Sequence, residues 1–189
     1  GLAAGHGKTV LDREVLRVGL AQRNPTPSMH YRRAIVPGGT FFFTLVTDLR
    51  RPILASDEAI GALRDAFRYV RQSRPFDIDT IVVMPDHLHC IWNLPPGDTD
   101  FSTRWRLIKT RFTKHCPDVA RRKKGEQAIW QHRYWEDQIR DETNFARHVD
   151  NIHYNPVKHS LVRSPAEWPY SGFGRYVEAG VCAPDWGSY

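Results

Sequence analysis

Two apolar runs that meet at Pro85-Asp86 constrain the fold of this chain more than any other feature. Residues 77–84 and 87–94 are rich in β-branched and aromatic side chains, which suit a pleated, half-buried strand. A turn of two residues returns the chain on itself, so the pair reads as an antiparallel hairpin. The second strand opens with His87-Leu88-His89. Strand residues i and i+2 face the same side, so both imidazoles point one way and Leu88 packs behind them. Two imidazoles on one side are a ready pair of ligands for a divalent metal. They are equally compatible with two hydrogen-bonded strand histidines that have no chemical task.

The elements around the hairpin complete a pattern. Gly38-Gly39 is a turn, followed by a buried strand over 40–47. Ser56 can cap a helix that runs to about Gln72, with Glu58 in its first turn and Ile60, Leu63, Phe67 and Val70 as its apolar stripe. Pro95-Pro96-Gly97 breaks the chain, and a second helix over 101–115 carries Phe101, Trp105, Ile108 and Phe112 at helical spacing. A basic loop spans 117–127, and the aromatic-rich segment 129–136 reads as a fourth strand. A third helix begins at Asp141-Glu142 and is expected to end at Asn155, because Pro156 lacks the donor that would continue it. The tail beyond Lys158 reads as irregular, with Trp168, Tyr170, Phe173, Tyr176 and Trp186 available to pack across the domain.

The order β-α-β-β-α-β is that of an α+β, ferredoxin-like (RRM-like) unit: one antiparallel four-stranded sheet with its helices on one face, plus an added C-terminal helix. The helix-covered face is crowded by the two apolar stripes, so the histidine pair is expected on the open face. Residues 1–28 are weakly patterned and read as a poorly ordered arm, an expression remnant or an overlong start, with a short helix possible around 11–18. The domain proper is expected over 29–189.

A length of 189 residues suits one ordinary domain. No apolar run approaches the roughly 20 residues a membrane helix needs. Cys90, Cys116 and Cys182 are odd in number and far apart, which suggests neither a disulfide framework nor a zinc site and fits a reducing cytosol. The net charge is +6, but residues 104–124 alone carry nine basic side chains against Asp118, a local +8 that leaves −2 for the rest. An excess confined to one segment is the footprint expected for a phosphate backbone, or a solvated helix face followed by a basic loop. Arg104, Arg106, Lys109, Arg111 and Lys114 are the helical members of that segment.

At about 100° per residue, Phe145, Val149 and Ile152 of the third helix form a core face, and His148, Asn151 and Asn155 form an adjoining polar face. With these residues in view, His87-Leu88-His89 resembles the HUH signature (histidine, hydrophobic residue, histidine) of single-strand DNA nicking enzymes. More closely, the chain resembles the REP-associated tyrosine transposases, relatives of single-tyrosine insertion-sequence transposases. The resemblance runs from about Tyr31 to Trp186. It rests on Tyr31-Arg32-Arg33, on Gly38 to Thr44, on Met84 to Trp92, on Trp105-Arg106-Leu107-Ile108-Lys109, on Tyr134-Trp135-Glu136 and on Asn155-Pro156-Val157-Lys158-His159. Trp168-Pro169-Tyr170-Ser171 and Asp185-Trp186 complete it.

That resemblance implies a metal site of His87, His89 and Asn155 holding Mg²⁺ or Mn²⁺, and a helix tyrosine that attacks a phosphate to give a 5′-phosphotyrosine and a free 3′-hydroxyl. The implied partner is single-stranded DNA bearing REP-type hairpins, in the bacterial cytoplasm at the nucleoid, with no membrane partner and with monomer and homodimer both open. Arg32, Arg33, the basic residues of the second helix and Lys158 would contact phosphates, together with His159. His132 and Arg133 would touch DNA or pack across strands. Glu136 would orient a ligand histidine or form a salt bridge, and His148 would support the site or belong to a polar helix face. Asp86 reads as a turn residue rather than a ligand.

One position departs from the family pattern. The nucleophilic tyrosine of the family directly follows the residue matching Asp150, and Asn151 stands there. A carboxamide cannot replace a phenol as phosphoryl nucleophile. Tyr154 is the substitute nucleophile the helix offers, but it lies about 100° around the helix from Asn155, against about 40° for residue 151, so it points largely away from the site and reads first as structural. The chain is then either a silent variant that binds hairpins without cutting them, or one whose attack comes from elsewhere. An unrelated hydrolase built on His-x-His is opposed by the number of matched blocks.

Overall fold

The computed structural model describes residues 38–116 and 128–188. The expectations for 1–28, for Arg32 and Arg33 and for the loop 117–127 lie outside the described residues. In chain order the elements are β1 (Thr40–Val46), α1 (Asp57–Ser73), β2 (Asp77–Val83), β3 (His87–Asn93), α2 (Phe101–His115), β4 (Trp135–Ile139), α3 (Glu142–Lys158) and α4 (Phe173–Glu178). Single 3₁₀ turns occur at Asp48–Arg50 and Pro165–Glu167. The strands form one antiparallel sheet in the order β2-β3-β1-β4, so the α+β expectation holds.

Local chemistry sets the helix starts. The Ser56 hydroxyl accepts from the Ala59 N–H, and the side chains of Asp100 and Asp141 do the same for Thr103 and Asn144. At the start of β1, Gly38 adopts φ 101°, and a Cβ there would collide with the Pro95 backbone, so the turn requires glycine.

Alternation along the strands divides the core in two. Phe41, Phe43 and Leu45 of β1, with Leu88, Cys90 and Trp92 of β3, pack under α1 and α2. Trp92 stacks on Trp105 with ring centroids 4.0 Å apart. On the other face Phe42, Val82, Met84, Ile91 and Ile139 meet Val149 and Ile152 of α3 and Tyr176 of α4. The face expected to be open is therefore covered by α3 and the C-terminal segment, because its own strand residues are too apolar to be left in water.

Two boundaries differ from expectation. The fourth strand begins at Trp135 rather than near residue 129. Ile129 and Trp130 are buried core plugs, Trp130 making an isolated bridge to Thr47 and lying 5.3 Å from the Phe112 ring, and the chain pairs with β1 only after them. The third helix runs through Pro156 to Lys158. Proline removes a single donor near the helix end, the His159 N–H still bonds the Asn155 carbonyl at 3.0 Å, and burial of Pro156 and Val157 holds the turn. The tail is more ordered than expected. It carries α4, and the Trp168 indole N–H donates to the Val83 carbonyl at 3.0 Å.

Candidate functional site

β3 presents His87 and His89 to the face that α3 crosses, with Leu88 buried behind them. His87 is buried at 4% exposure, and both of its ring nitrogens are occupied. Nδ1 lies 2.6 Å from Asp86 Oδ1, and Nε2 lies 3.2 Å from Asn155 Oδ1. Asp86 also pairs with Arg50 at 3.0 Å. Burial opposes ionisation of Asp86, but the hydrogen bond and charge of His87, with Arg50, outweigh it and hold the carboxyl below its usual range. An ionised Asp86 accepts the Nδ1–H, which orients the ring so that Nε2 faces the Asn155 amide oxygen.

His89 stands beside it, ring centroids 5.0 Å apart, with Nδ1 2.8 Å from the Thr44 hydroxyl. Burial, then the positive charges of His87, His159, Lys158 and His148, push its pKa down to about 3. At neutral pH His89 is uncharged and can offer a lone pair. Neighbouring ligands about 2.1 Å from an octahedral ion stand about 3 Å apart, close to the His87–Asn155 separation. The donor set of two imidazoles and one amide oxygen thus fits a divalent ion, with most of the coordination shell left to water and substrate oxygens. Among the described residues no group of three His, Cys, Asp or Glu side chains forms an alternative centre.

α3 supplies the rest by its own periodicity. Asn151, Asn155 and His159 follow one another at successive turns, and His159 lies 5.2 Å from the His87 ring. Asn151 is half-buried and borders a cleft of about 440 Å³ between α3 and β4, lined also by Phe42, Trp135, Asp137, Asn144 and His148. His148 stacks on Phe42 at 4.2 Å, and its Nε2–H donates to Asp137 Oδ2 at 3.1 Å. The other side of the aromatic group carries His89, 5.5 Å from Phe42. Phe42 therefore joins the histidine pair to the cleft.

Several expected site residues stand elsewhere. Arg104 is buried at 2% exposure, its guanidinium bonded to the Asp98 carboxylate and to the carbonyls of Arg74, Pro75 and Asp100. It locks two loops together and cannot reach a phosphate. Arg111 pairs with Asp65 at 2.8 Å and covers the Tyr69 ring, and Lys109 bonds the Gln131 carbonyl. Arg106 and Lys114 are exposed, but α2 packs on the sheet face opposite the histidines, so its basic residues do not adjoin the pair. Glu136 is exposed and registers with Phe43, on that same opposite face, so it orients neither histidine. Asp86 and Thr44 have that position instead.

His132 and Arg133 are exposed just before β4, and Lys158 is exposed beside the pair, its charge felt by His89. Tyr154 is half-buried, 6.3 Å from the Trp186 ring, on a different side of α3 from Asn151 and Asn155. Sequence reasoning took Asp86 for a turn residue and passed over Thr44 and Asp137. For Asp86 its position beside His87 was a usable signal. Thr44 and Asp137 become visible only through the register that pairs Thr44 with His89 and Phe42 with Asp137.

The fold and its sequence have counterparts among known proteins. Residues 38–151 match the family of IS200-like transposases. The chain is 46% identical over 156 residues to the REP-associated tyrosine transposase of Escherichia coli (strain K12), covering 82% of this chain and 89% of that protein. A solved structure of a REP-associated tyrosine transposase bound to a REP hairpin is 43% identical with a TM-score of 0.71, covering 86% of this chain and 93% of that one.

Proposed function

Since the chain belongs to the REP-associated tyrosine transposases within the IS200-like family, we propose that it binds REP-type hairpins in single-stranded DNA and positions a phosphate at His87, His89 and Asn155. The observation that carries this reading is the approach of His87 Nε2 to Asn155 Oδ1 at 3.2 Å beside a neutral His89. Mg²⁺ or Mn²⁺, held by those three side chains, would supply Lewis-acid polarisation of a phosphate oxygen. Asp86 and Thr44 engage the two Nδ1 atoms, which would leave both Nε2 atoms to face the ion. Lys158 and His159, at the end of α3, would meet the phosphate backbone.

Cleavage is the step this chain is ill equipped to perform. In the family reaction a tyrosine oxygen bonds to phosphorus, the P–O3′ bond breaks, and the phenolic proton ends on the released 3′-hydroxyl. Asn151 stands at that position, one turn from Asn155, and has no ionisable oxygen. Tyr154, packed by Trp186, is turned away. The chain therefore acts as a hairpin-binding protein with a nicking site whose nucleophile is missing. Non-cleaving recognition of REP hairpins is the reading that Asn151 favours.

The test uses a labelled REP-hairpin oligonucleotide with Mn²⁺, the native chain beside Asn151→Tyr, and denaturing gels for the covalent adduct. The native chain is expected to bind without an adduct, and the tyrosine version to form one. An adduct on the native chain refutes the silent-nucleophile reading. Binding no better than to scrambled single-stranded DNA refutes the functional reading as a whole.

A further inference from the structure

The turn that follows β1 is strained, and no step above uses it. Leu49 and Arg50 adopt φ 54° and 50° in succession, the left-handed region, with no glycine between them. Side chains crowd the backbone there, and such conformations persist only where the surroundings impose them. Here the surroundings do so. The Thr47 N–H donates to the Asp86 carbonyl at 2.9 Å, the Asp48 N–H to the Ile129 carbonyl at 2.8 Å, and Arg51 Nε to the Asp48 carbonyl at 3.0 Å. Leu49 gains no burial from this, since it is 69% exposed. What the turn delivers is Arg50. Its Nη1 donates to Asp86 Oδ2 at 3.0 Å, while Nε and Nη2 have no partner among the described residues and the side chain is 63% exposed. An exposed ion pair returns less than two strained residues cost, so the contact with Asp86 does not by itself account for the turn.

Resting on the proposed DNA-binding function, we propose that Arg50 binds a backbone phosphate of the single strand, at the linkage next to the one held by His87, His89 and Asn155. With Nη1 fixed by Asp86, the Nε–Nη2 edge is the free one. Its two parallel N–H groups match two oxygens of a phosphodiester, a fit that the point charge of a lysine lacks. The order of contacts selects the linkage. Asp86 stands between Arg50 and His87, 3.0 Å from one and 2.6 Å from the other, and His87 directs Nε2 the opposite way, to Asn155. Arg50 therefore serves a neighbouring phosphate and not the one at Nε2. Lys158 and His159 share its surroundings. Burial and then the His87 charge lower the His159 pKa, against Asp86, and the charges of Lys158 and Arg50 lower it further. Asp86 offsets one positive charge at this edge, and Lys158 supplies another.

The test is fluorescence anisotropy of the full chain with a labelled REP-hairpin oligonucleotide, in EDTA, over a tenfold range of salt. Arg50→Ala is expected to lower the salt slope by about 0.7 log units per tenfold, the loss of one neutralised phosphate, and Arg50→Lys to keep the slope. A second series replaces single linkages of the strand beside the hairpin with uncharged methylphosphonates. One of these should weaken the native chain and leave Arg50→Ala unaffected. An unchanged slope in Arg50→Ala overturns the proposal, as does full retention of the native sensitivity to every linkage. Weaker Mn²⁺ binding with an unchanged slope would reduce Arg50 to an orienter of Asp86 and overturn it too. If Arg50→Ala misfolds by circular dichroism, Arg50→Gly, which adopts φ 50° without strain, takes its place. Repeating the slopes on scrambled single-stranded DNA separates the two readings. No hairpin preference, with a lowered slope on both strands, overturns the hairpin reading alone. Hairpin preference with an unchanged slope overturns the role of Arg50 alone.

Discussion

His153 makes the stability of the fold depend on mild acid. It sits on α3 between the two asparagines of the site and is buried at 1% exposure. Its Nε2 meets the Thr80 hydroxyl at 3.0 Å, Nδ1 has no partner among the described residues, and the rings of Phe173 and Tyr176 enclose it. Burial first, then the Arg175 charge, lowers its pKa from 6.5 to about 4. The folded state thus binds this proton less tightly than the unfolded chain. The stability it confers is complete above pH 6.5 and is lost as pH falls towards 4. A gap of that size corresponds to about 3 kcal/mol, with a slope of about 1.4 kcal/mol per pH unit inside the window. That is a large share of a typical domain's stability. His89, lowered to about 3 by burial and neighbouring charges, adds a slope of the same sign over the same range. Urea unfolding of the native chain and of His153→Phe at pH 7.5, 6.5, 5.5 and 4.5 measures the difference directly. The variant is expected to be weaker at pH 7.5, because Thr80 loses its partner, and to lose about 2.5 kcal/mol less by pH 4.5. Parallel curves for the two proteins would refute the buried, neutral state of His153.

Other outcomes follow from the same contacts. Asp86→Asn removes the carboxylate that fixes His87 and should weaken Mn²⁺ binding about 10- to 100-fold by titration calorimetry, and unchanged affinity would place the metal elsewhere. Arg104→Ala removes a buried guanidinium that bonds Asp98 and the carbonyls of Arg74, Pro75 and Asp100 and should lower unfolding stability by about 3 kcal/mol, with hairpin affinity of the folded protein unchanged, so a selective loss of DNA binding would contradict its structural role. Hairpin affinity should fall with salt by about 0.7 log units per tenfold for each neutralised phosphate, and Lys158→Ala should reduce the slope by about that amount, whereas an unaltered slope would remove Lys158 from the interface.

The element order, the helix starts and the shared face of His87 and His89 were legible in the sequence. Each depends on neighbours along the chain: Ser56 and Asp100 cap within three residues, apolar stripes repeat at helical spacing, and strand side chains alternate. The family blocks and the asparagine at position 151 were legible for the same reason. Less visible were Ile129 and Trp130, whose strand-like character serves as core plugging, and Pro156, whose missing donor is outweighed by burial of the last turn. The site's supporting groups depended on contacts far apart in sequence. The β1–β3 and β1–β4 registers placed Thr44 on His89 and Asp137 under His148 while turning Glu136 to the other face. α3 lies on the sheet because Val149 and Ile152 bury themselves against Phe42 and Ile91, and that docking brings Asn155 to His87. Sequence spacing thus decided which side chains share a face, whereas long-range packing decided which faces meet, since strand register and helix docking are set by burial summed over the whole core.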